Sequence, residues 1–404
     1  MSLNATPSSE RVHIGIFGRR NAGKSSLINA LTSQNLAIVS DFKGTTTDPV
    51  YKAMELLPLG PVMIIDTPGI DDEGALGQLR IQKAYQVLNK TDIAVLVIDA
   101  ACGYSAEDKK LLEHIQDKNI PCVIVFNKCD LLTAEQASDL SKQNPKAFFV
   151  SSATKQQIHE LKELLASLKP QQQDKELVGD LINRGDIIIL VTPIDSAAPK
   201  GRLILPQQQV LRNILDNNAL AFVVQEDELS AALQKLSVKP RLVITDSQAF
   251  EKVAQVVPED IPLTSFSILF ARYKGNLSAA VAGVQALDDI QDGDRILISE
   301  GCTHHRQCND IGTVKLPGWI KKYTGKNPVF SFSSGTEFPA DLTSYKLIVH
   351  CGGCMLNEKE MMHRGKCAAK QNIPMTNYGI LIAHIHGILK RSLSPLPDIA
   401  KLLK

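Results

Sequence analysis

The sequence predicts an α/β protein of several domains built on mostly parallel sheets. Three observations predict it. The 404 residues exceed one average domain. Short continuous apolar strands alternate with stretches of helical periodicity, the pattern of a parallel sheet covered on both faces. That alternation stops at a polar stretch, KPQQQDKE, and then resumes.

In the first block the strands are RVHIGIFG, VMIIDTPG, DIAVLVIDA, PCVIVFNKCD and AFFVSSAT. KSSLINALTS and IHELKELLASL have helical spacing. A domain over 1–170 and a linker over 171–180 follow from this. In the second block IIILVTPI, LAFVVQ, RLVITDS and IPLTSFS read as strands and QQQVLRNILDNN as an amphipathic helix. Its boundaries are 181–262. Asp195 and Lys200 near a strand end read as solvated loop residues. A small unit without a catalytic motif suits assembly, because an edge strand offers unpaired backbone groups to a second copy. The third block, 263–404, has strands at RILISEG, PVFSFSSG and YKLIVH. No internal repeat stands out.

Hydrophobic residues make up 44 % and charged residues 22 %, with a net charge of +1. This is ordinary globular material with no whole-chain reason to seek a polyanion, so no nucleic acid partner is expected. MSLNATPSSE lacks the pattern of a signal peptide, and the apolar runs fall short of the ~20 residues of a membrane helix. A cytoplasmic protein without membrane contact is the expectation. The eight cysteines are then reduced thiols rather than a disulfide framework. Cys102, Cys122 and Cys129 lie in apolar stretches and read as packing residues.

Gly18-Arg-Arg-Asn-Ala-Gly-Lys-Ser25 fits G-x-x-x-x-G-K-S/T between a strand and a helix, the context of a P-loop. Main-chain N–H groups from Gly18 through Asn21, Ala22, Gly23 and Ser26 can curl around phosphate. Lys24 reaches the β- and γ-phosphates, and Ser25 ligates Mg²⁺. Asp66-Thr-Pro-Gly69 ends another strand, with Asp66 in the Mg²⁺ shell and Gly69 near the γ-phosphate. Gly44-Thr-Thr-Thr-Asp48 supplies a switch loop with Thr46 as a Mg²⁺ and γ-phosphate ligand. Asn127-Lys128-Cys-Asp130 reads guanine, because the Asp130 carboxylate accepts two hydrogen bonds that adenine cannot donate. Ser152 and Ala153 of the SSA segment offer backbone N–H groups to the guanine oxygen. GTP is the expected nucleotide.

Residues from Arg11 to about Pro170 resemble the TrmE–Era group of GTPases on GRRNAGKS, GTTTD, DTPG, NKCD and SSA. The resemblance implies that Asn21 helps hold K⁺ beside the phosphates, in place of an arginine finger. Ile70 follows DTPG where Ras-like switches place a water-orienting glutamine. Slow, K⁺-stimulated hydrolysis is the expectation.

The third block carries Cys302-Thr-His304-His after one strand and His350-Cys351-Gly-Gly-Cys354 after another. If the strands are parallel neighbours, both clusters share the carboxyl edge of one sheet, where open α/β sheets bind ligands. Soft thiolates suit zinc or an iron–sulfur cluster. Zinc would take four closed ligands such as Cys302, His304, Cys351 and Cys354. Three cysteines on an iron–sulfur cluster would leave one exchangeable position. Cys308 could add a thiolate but reads as a helix residue, and Cys367 as packing.

Taken together, the GTPase motifs, the motif-poor middle block and the CxH and HCxxC clusters resemble the HydF family of FeFe-hydrogenase maturation GTPases. The resemblance spans essentially the whole chain. It implies a P-loop GTPase domain, a small α/β dimerisation domain and a C-terminal α/β iron–sulfur cluster domain. It implies a 4Fe–4S cluster on Cys302, Cys351 and Cys354, with His304, His350 or an exchangeable ligand at the fourth iron. It also implies a homodimer that carries a diiron precursor built with two radical-SAM maturases and delivers it to apo FeFe-hydrogenase. The main alternative is a ribosome- or RNA-associated GTPase with a zinc-stabilised C-terminal domain. The 5 % aromatic content disfavours it. A dithiol redox enzyme using CGGC would leave CTHH without a role.

Overall fold

The computed structural model describes residues 6–32, 48–71, 74–170, 175–193, 203–301, 310–335 and 337–403. Thr46, Asp195, Lys200, Cys302, His304 and Cys308 lie outside the described residues. The chain forms two compact units, Met1–Gln172 and Gln173–Lys404.

The first unit holds strands β1 (Val12–Phe17), β2 (Val50–Leu56), β3 (Gly60–Asp66), β4 (Ile93–Asp99), β5 (Cys122–Asn127) and β6 (Phe148–Phe149). Its helices are α1 (Lys24–Thr32), α2 (Gly74–Val87), α3 (Ala106–Asp117), α4 (Ala134–Gln143) and α5 (Ile158–Ser167). The sheet order is β2-β3-β1-β4-β5-β6. Every pairing is parallel except β2 with β3. Period-two alternation divides the strands between two cores. Ile14, Ile16, Ile64, Val95 and Val97 pack with Leu27 of α1 and Leu161 and Leu165 of α5. Phe17, Ile65, Leu96 and Phe126 pack on the other face with Leu111 and Ile115 of α3. This double burial is why the parallel strands read as unbroken apolar runs. The sequence pattern passes over β2 because it is an edge strand with only Leu56 fully buried.

The second unit contains two four-stranded parallel sheets. The first has β7 (Ile187–Val191), β8 (Leu220–Val224), β9 (Leu242–Thr245) and β10 (Leu263–Ser265), in the order β10-β9-β7-β8. Helices α6 (Leu205–Asp216), α7 (Leu229–Lys235), α8 (Phe250–Val256) and α9 (Phe266–Tyr273) accompany it. After α10 (Leu277–Gly283) the second sheet has β11 (Arg295–Glu300), β12 (Val329–Ser334), β13 (Leu347–His350) and β14 (Met375–Asn377), in the order β12-β11-β13-β14. Helices α11 (Leu316–Thr324), α12 (Glu358–Lys370) and α13 (Tyr378–Ile385) belong to it. One core cluster runs through both sheets, joining Val243 and Leu263 to Ile296 and Val349. The closing strand of the first of these sheets starts just past the expected boundary at 262. The expected linker also differs, because Leu177 and Val178 are buried in the second unit's core.

The two sheets are built alike, which the sequence reading missed. Counted in chain order, each runs second, first, third, fourth strand. Asp186 Oδ2 accepts from Asn183 N at 2.8 Å before β7, and Asp294 Oδ2 accepts from Gln291 N at 2.8 Å before β11. The adjacent Gly185 and Gly293 have φ of +82° and +83°, a left-handed conformation that favours glycine. Each donates to an asparagine carbonyl, Asn218 and Asn327. The last strand and helix align without a gap: Ile261, Pro262, Thr264, Ile268, Leu269, Ala271 and Gly275 recur as Ile373, Pro374, Thr376, Ile380, Leu381, Ala383 and Gly387. Unequal loops elsewhere hide the repeat from a linear scan. The two copies meet at the N-termini of α9 and α13, capped by Ser265 and Asn377. There Asn377 Nδ2 donates to Ser267 O at 3.2 Å.

Candidate functional site

Between β1 and α1 the loop from Gly18 to Gly23 is drawn tightly into the sheet. Gly18 has φ +141°, and a Cβ there would fall 2.2 Å from the Val97 carbonyl oxygen. Gly23 has φ +91°, with the Asn127 amide 2.2 Å from its absent Cβ. Asn21, also left-handed at +60°, is exposed at the loop tip. Buried Lys24 donates from Nζ to the Gly18 and Arg19 carbonyls at 2.9 and 2.8 Å.

Asp66 at the end of β3 accepts from Ser25 Oγ at 2.8 Å. Burial, opposed by that hydrogen bond and by Lys24 and Lys52, raises its carboxyl pKa. Its Oδ1 has no hydrogen-bond partner among the described residues. A buried carboxylate oxygen left unmatched beside a serine hydroxyl is the hard-oxygen donor set that suits Mg²⁺. Gly69 packs against Arg20, and a Cβ there would lie 2.3 Å from Arg20 Cγ. Ile70 is buried in the core of the sheet.

Asn127 binds three of the motifs together. Its Nδ2 donates to the Ala22 and Gly23 carbonyls at 3.3 Å each. Its Oδ1 accepts from Ser152 N and Oγ at 3.0 and 2.9 Å. Lys128, left-handed at φ +67°, pairs with Asp99 at 2.7 Å. Exposed Asp130 accepts from Ser151 Oγ at 2.5 Å, so its carboxylate is steered before any base arrives. Asp99 was not singled out from sequence, and Ser151 was read only as part of the SSA segment, not for its hydroxyl on Asp130. Asp71, whose Oδ1 accepts from Arg20 N at 2.7 Å, was not singled out either.

In the second unit β11 and β13 are parallel neighbours, with Ser299 opposite His350. The two motif segments therefore leave the same sheet edge, at the point where strand order reverses. Every polar atom of Cys351 is engaged. Its N–H donates to Ser299 O at 2.9 Å, and its carbonyl oxygen lies 2.8 Å from His350 Nδ1. Its Sγ accepts from Gly301 N at 3.0 Å and Gly353 N at 3.4 Å. Two main-chain N–H groups aimed at one sulfur fit a metal-bound thiolate. Gly353 has φ +65° and meets Met361 Sδ 2.6 Å from its absent Cβ, so the loop closes on glycine alone. Burial pushes the Cys351 thiol up. Burial and then neighbouring Cys351 push Cys354 up to about 12, with buried Lys274 acting the other way. Lys274 ties α9 to the loop by donating to Leu356 O at 2.8 Å.

His350 is fully buried, and burial followed by Arg364 pushes its pKa down to about 3. Its Nε2 lies 3.0 Å from Arg364 Nη1. Among the described residues, no group of three or more His, Cys, Asp or Glu side chains is placed to hold a metal. The structure thus brings Cys351, Cys354 and His350 to one edge, with Cys302 and His304 outside its description. Cys367 is half-buried, 3.4 Å from His363 Nε2 on α12. Cys102 is exposed, not packed as expected, because it sits in the turn after β4. Sequence reasoning also missed Arg364. Its signal was a charge at a core position of α12, between Met361 and Ala368 on the buried face.

Two family models cover the second unit almost end to end: the hydrogen maturase F dimerization domain over residues 177–275 and the hydrogen maturase F tetramerization domain over 278–395. The chain belongs to the hydrogen maturase F family. Its first unit matches a 50S ribosome-binding GTPase model over 13–128. The chain is 41 % identical over 133 residues to the tRNA modification GTPase MnmE of Prochlorococcus marinus strain MIT 9303, covering 33 % of this chain and 28 % of that one. It is 29 % identical over 204 residues to GTPase Der of Mycoplasmopsis pulmonis, covering 47 % and 46 %. The chain thus spans less than half the length of these relatives. A solved structure of Era from Aquifex aeolicus with GDP and AlF4- matches at 19 % identity and a TM-score of 0.37, over 60 % of this chain and 97 % of that one. Among the described residues no helix is long and apolar enough to cross a membrane.

Proposed function

We propose that this chain is a GTP-hydrolysing scaffold of hydrogenase maturation that holds a 4Fe–4S cluster and carries a diiron precursor to apo FeFe-hydrogenase. The observation that carries the cluster reading is the pair of main-chain N–H groups on Cys351 Sγ at the shared end of β11 and β13. Cys302, Cys351 and Cys354 would hold the cluster. When bound, it supplies an iron with one exchangeable ligand position. The chain's own task is to fix the thiolates, keep them out of bulk water and present that edge to cargo.

In the first unit, main-chain N–H groups from Gly18 to Ser26 cradle the phosphates and Lys24 neutralises them. Ser25, Asp66 and Thr46 hold Mg²⁺, and Asn21 holds K⁺. Asp130 selects guanine with Ser152 and Ala153. The burial of Ile70 leaves that position unable to orient water, which suits slow, K⁺-stimulated hydrolysis. The dimerization and tetramerization models imply assembly of several copies. The exposed edge strand β8, with Leu220, Phe222 and Val223 partly bare, is the surface for the dimer. Two radical-SAM maturases and apo-hydrogenase are the proposed partners, acting in the cytoplasm.

Anaerobic reconstitution with iron and sulfide tests the cluster. A broad visible absorption and a reduced-state EPR signal near four irons per chain are expected. A colourless protein that binds zinc instead would overturn the reading. GTP turnover in KCl against NaCl at equal ionic strength tests the cation, with faster turnover in KCl expected.

A further inference from the structure

Arg364 is the largest fully buried side chain among the described residues. From α12 it reaches the ends of three strands of the β11–β14 sheet. Its Nε donates to Glu360 at 2.8 Å. Its Nη2 donates to Gly335 O at 2.8 Å, just past β12. Its Nη1 faces His350 Nε2 at 3.0 Å on β13 and Ser299 Oγ at 3.4 Å on β11. Ser333 of β12 donates to the same Ser299 hydroxyl at 3.0 Å. The guanidinium lies 5.1 Å from the Phe338 ring.

Arginine has donors and no acceptor. His350 Nε2 must therefore present its lone pair to Arg364. A neutral imidazole has one such nitrogen, so Nδ1 carries the hydrogen and donates it to Cys351 O at 2.8 Å. The ring's one in-plane lone pair is then already engaged by Arg364. To ligate iron through Nε2, His350 would have to turn from Arg364 and leave the buried Nη1 without its nitrogen acceptor.

We propose that Arg364 and His350 are positioning residues: Arg364 sets the tautomer of His350, and His350 holds the Cys351 carbonyl instead of ligating iron. The inference deepens the cluster reading and rests on it. His350 anchors the chain where the loop leaves β13, so the Cys351 thiol keeps its two N–H donors.

The test uses full-length protein with ¹⁵N-labelled histidine. In the iron-free chain, NMR should show His350, assigned by its loss in His350→Asn, with a hydrogen on Nδ1 and a bare Nε2. Arg364→Met should release the ring to a tautomer mixture, and Arg364→Lys should restore most of the wild-type signal. The opposite tautomer in wild type, or no response to Arg364→Met, overturns the proposal whether or not iron binds. After reconstitution, Arg364→Met should lose at least half its iron or shift its EPR signal, while GTP binding in the separate first unit stays unchanged. Pulsed EPR of His304→Ala should show no histidine nitrogen bound directly to the cluster. A bound nitrogen that disappears when His350→Asn is added overturns the proposal. Wild type that takes up no iron defeats the cluster reading instead, with the tautomer result still standing.

Discussion

The two sheets of the second unit share strand order, entry turn and closing helix, yet only one has cysteines in the sequence at the ends of its central strands. In the β11–β14 sheet, Cys351 directly follows β13, and in the sequence Cys302 comes two positions after the end of its neighbour β11. At the matching ends of the β7–β10 sheet the sequence has Ile194 and Asp246, and Asp246 is engaged by Gln207 Nε2 at 2.6 Å. Parallel sheets of this order open a crevice where the strand order reverses, so the topology offers the place twice. The side chains at the strand ends decide whether it is used.

The largest expected effect breaks the likeness directly. Cys351→Ala and Cys354→Ala should each reduce reconstituted iron to near background, while Asp246→Ala at the matching position should leave it unchanged. Iron and sulfide assays on the three proteins check this, and iron loss in Asp246→Ala would mean that both crevices contribute.

Thiol reactivity is the next contrast. With its thiol pushed up to about 12 by burial, Cys354 in the iron-free chain stays protonated at neutral pH. A raised pKa lowers the thiolate fraction, so alkylation should quicken as pH rises toward that value. At pH 8 it should react on the order of a hundredfold more slowly than exposed Cys102. Mass spectrometry of iodoacetamide-treated protein would show the order, and equal rates would count against the burial described for Cys354.

Two smaller predictions sharpen the likeness. Gly185→Ala and Gly293→Ala place a Cβ on a left-handed residue with open space around it. Each should cost about 1 kcal/mol in denaturant unfolding, and the two costs should agree. Asp186→Ala and Asp294→Ala each remove one 2.8 Å turn bond, at roughly 0.5–1 kcal/mol apiece. A large inequality within either pair would mean that the turns bear different loads.

The nucleotide site was almost wholly legible before folding. Its chemistry sits in contiguous motifs whose backbone shape is local: Gly18 to Ser25, Asp66 to Gly69 and Asn127 to Asp130 each make their own turn at a strand end. The cysteine edge was legible in its residue types but not in its support. CTHH and HCGGC announce themselves by residue type, whereas Arg364 lay inside a helix that read as packing. The internal repeat was missed for a related reason. Its identities crowd into the final strand and helix of each copy, while the matching turns at Asp186 and Asp294 share geometry more than sequence.

By itself the sequence determined the α/β class, the alternation of strand and helix, the nucleotide and the thiols, because periodicity and short motifs act through neighbours along the chain. Only the tertiary structure decided that β11 and β13 lie side by side, that Asn127 ties three motifs into one site, and that His350 is held at both ring nitrogens. Those outcomes depend on burial and on partners far apart in sequence. Ser299 and Arg364 are separated by 65 positions, and no local pattern records which buried donor meets which acceptor. Packing sets that pairing, since a buried polar group must find its partner wherever the fold places one.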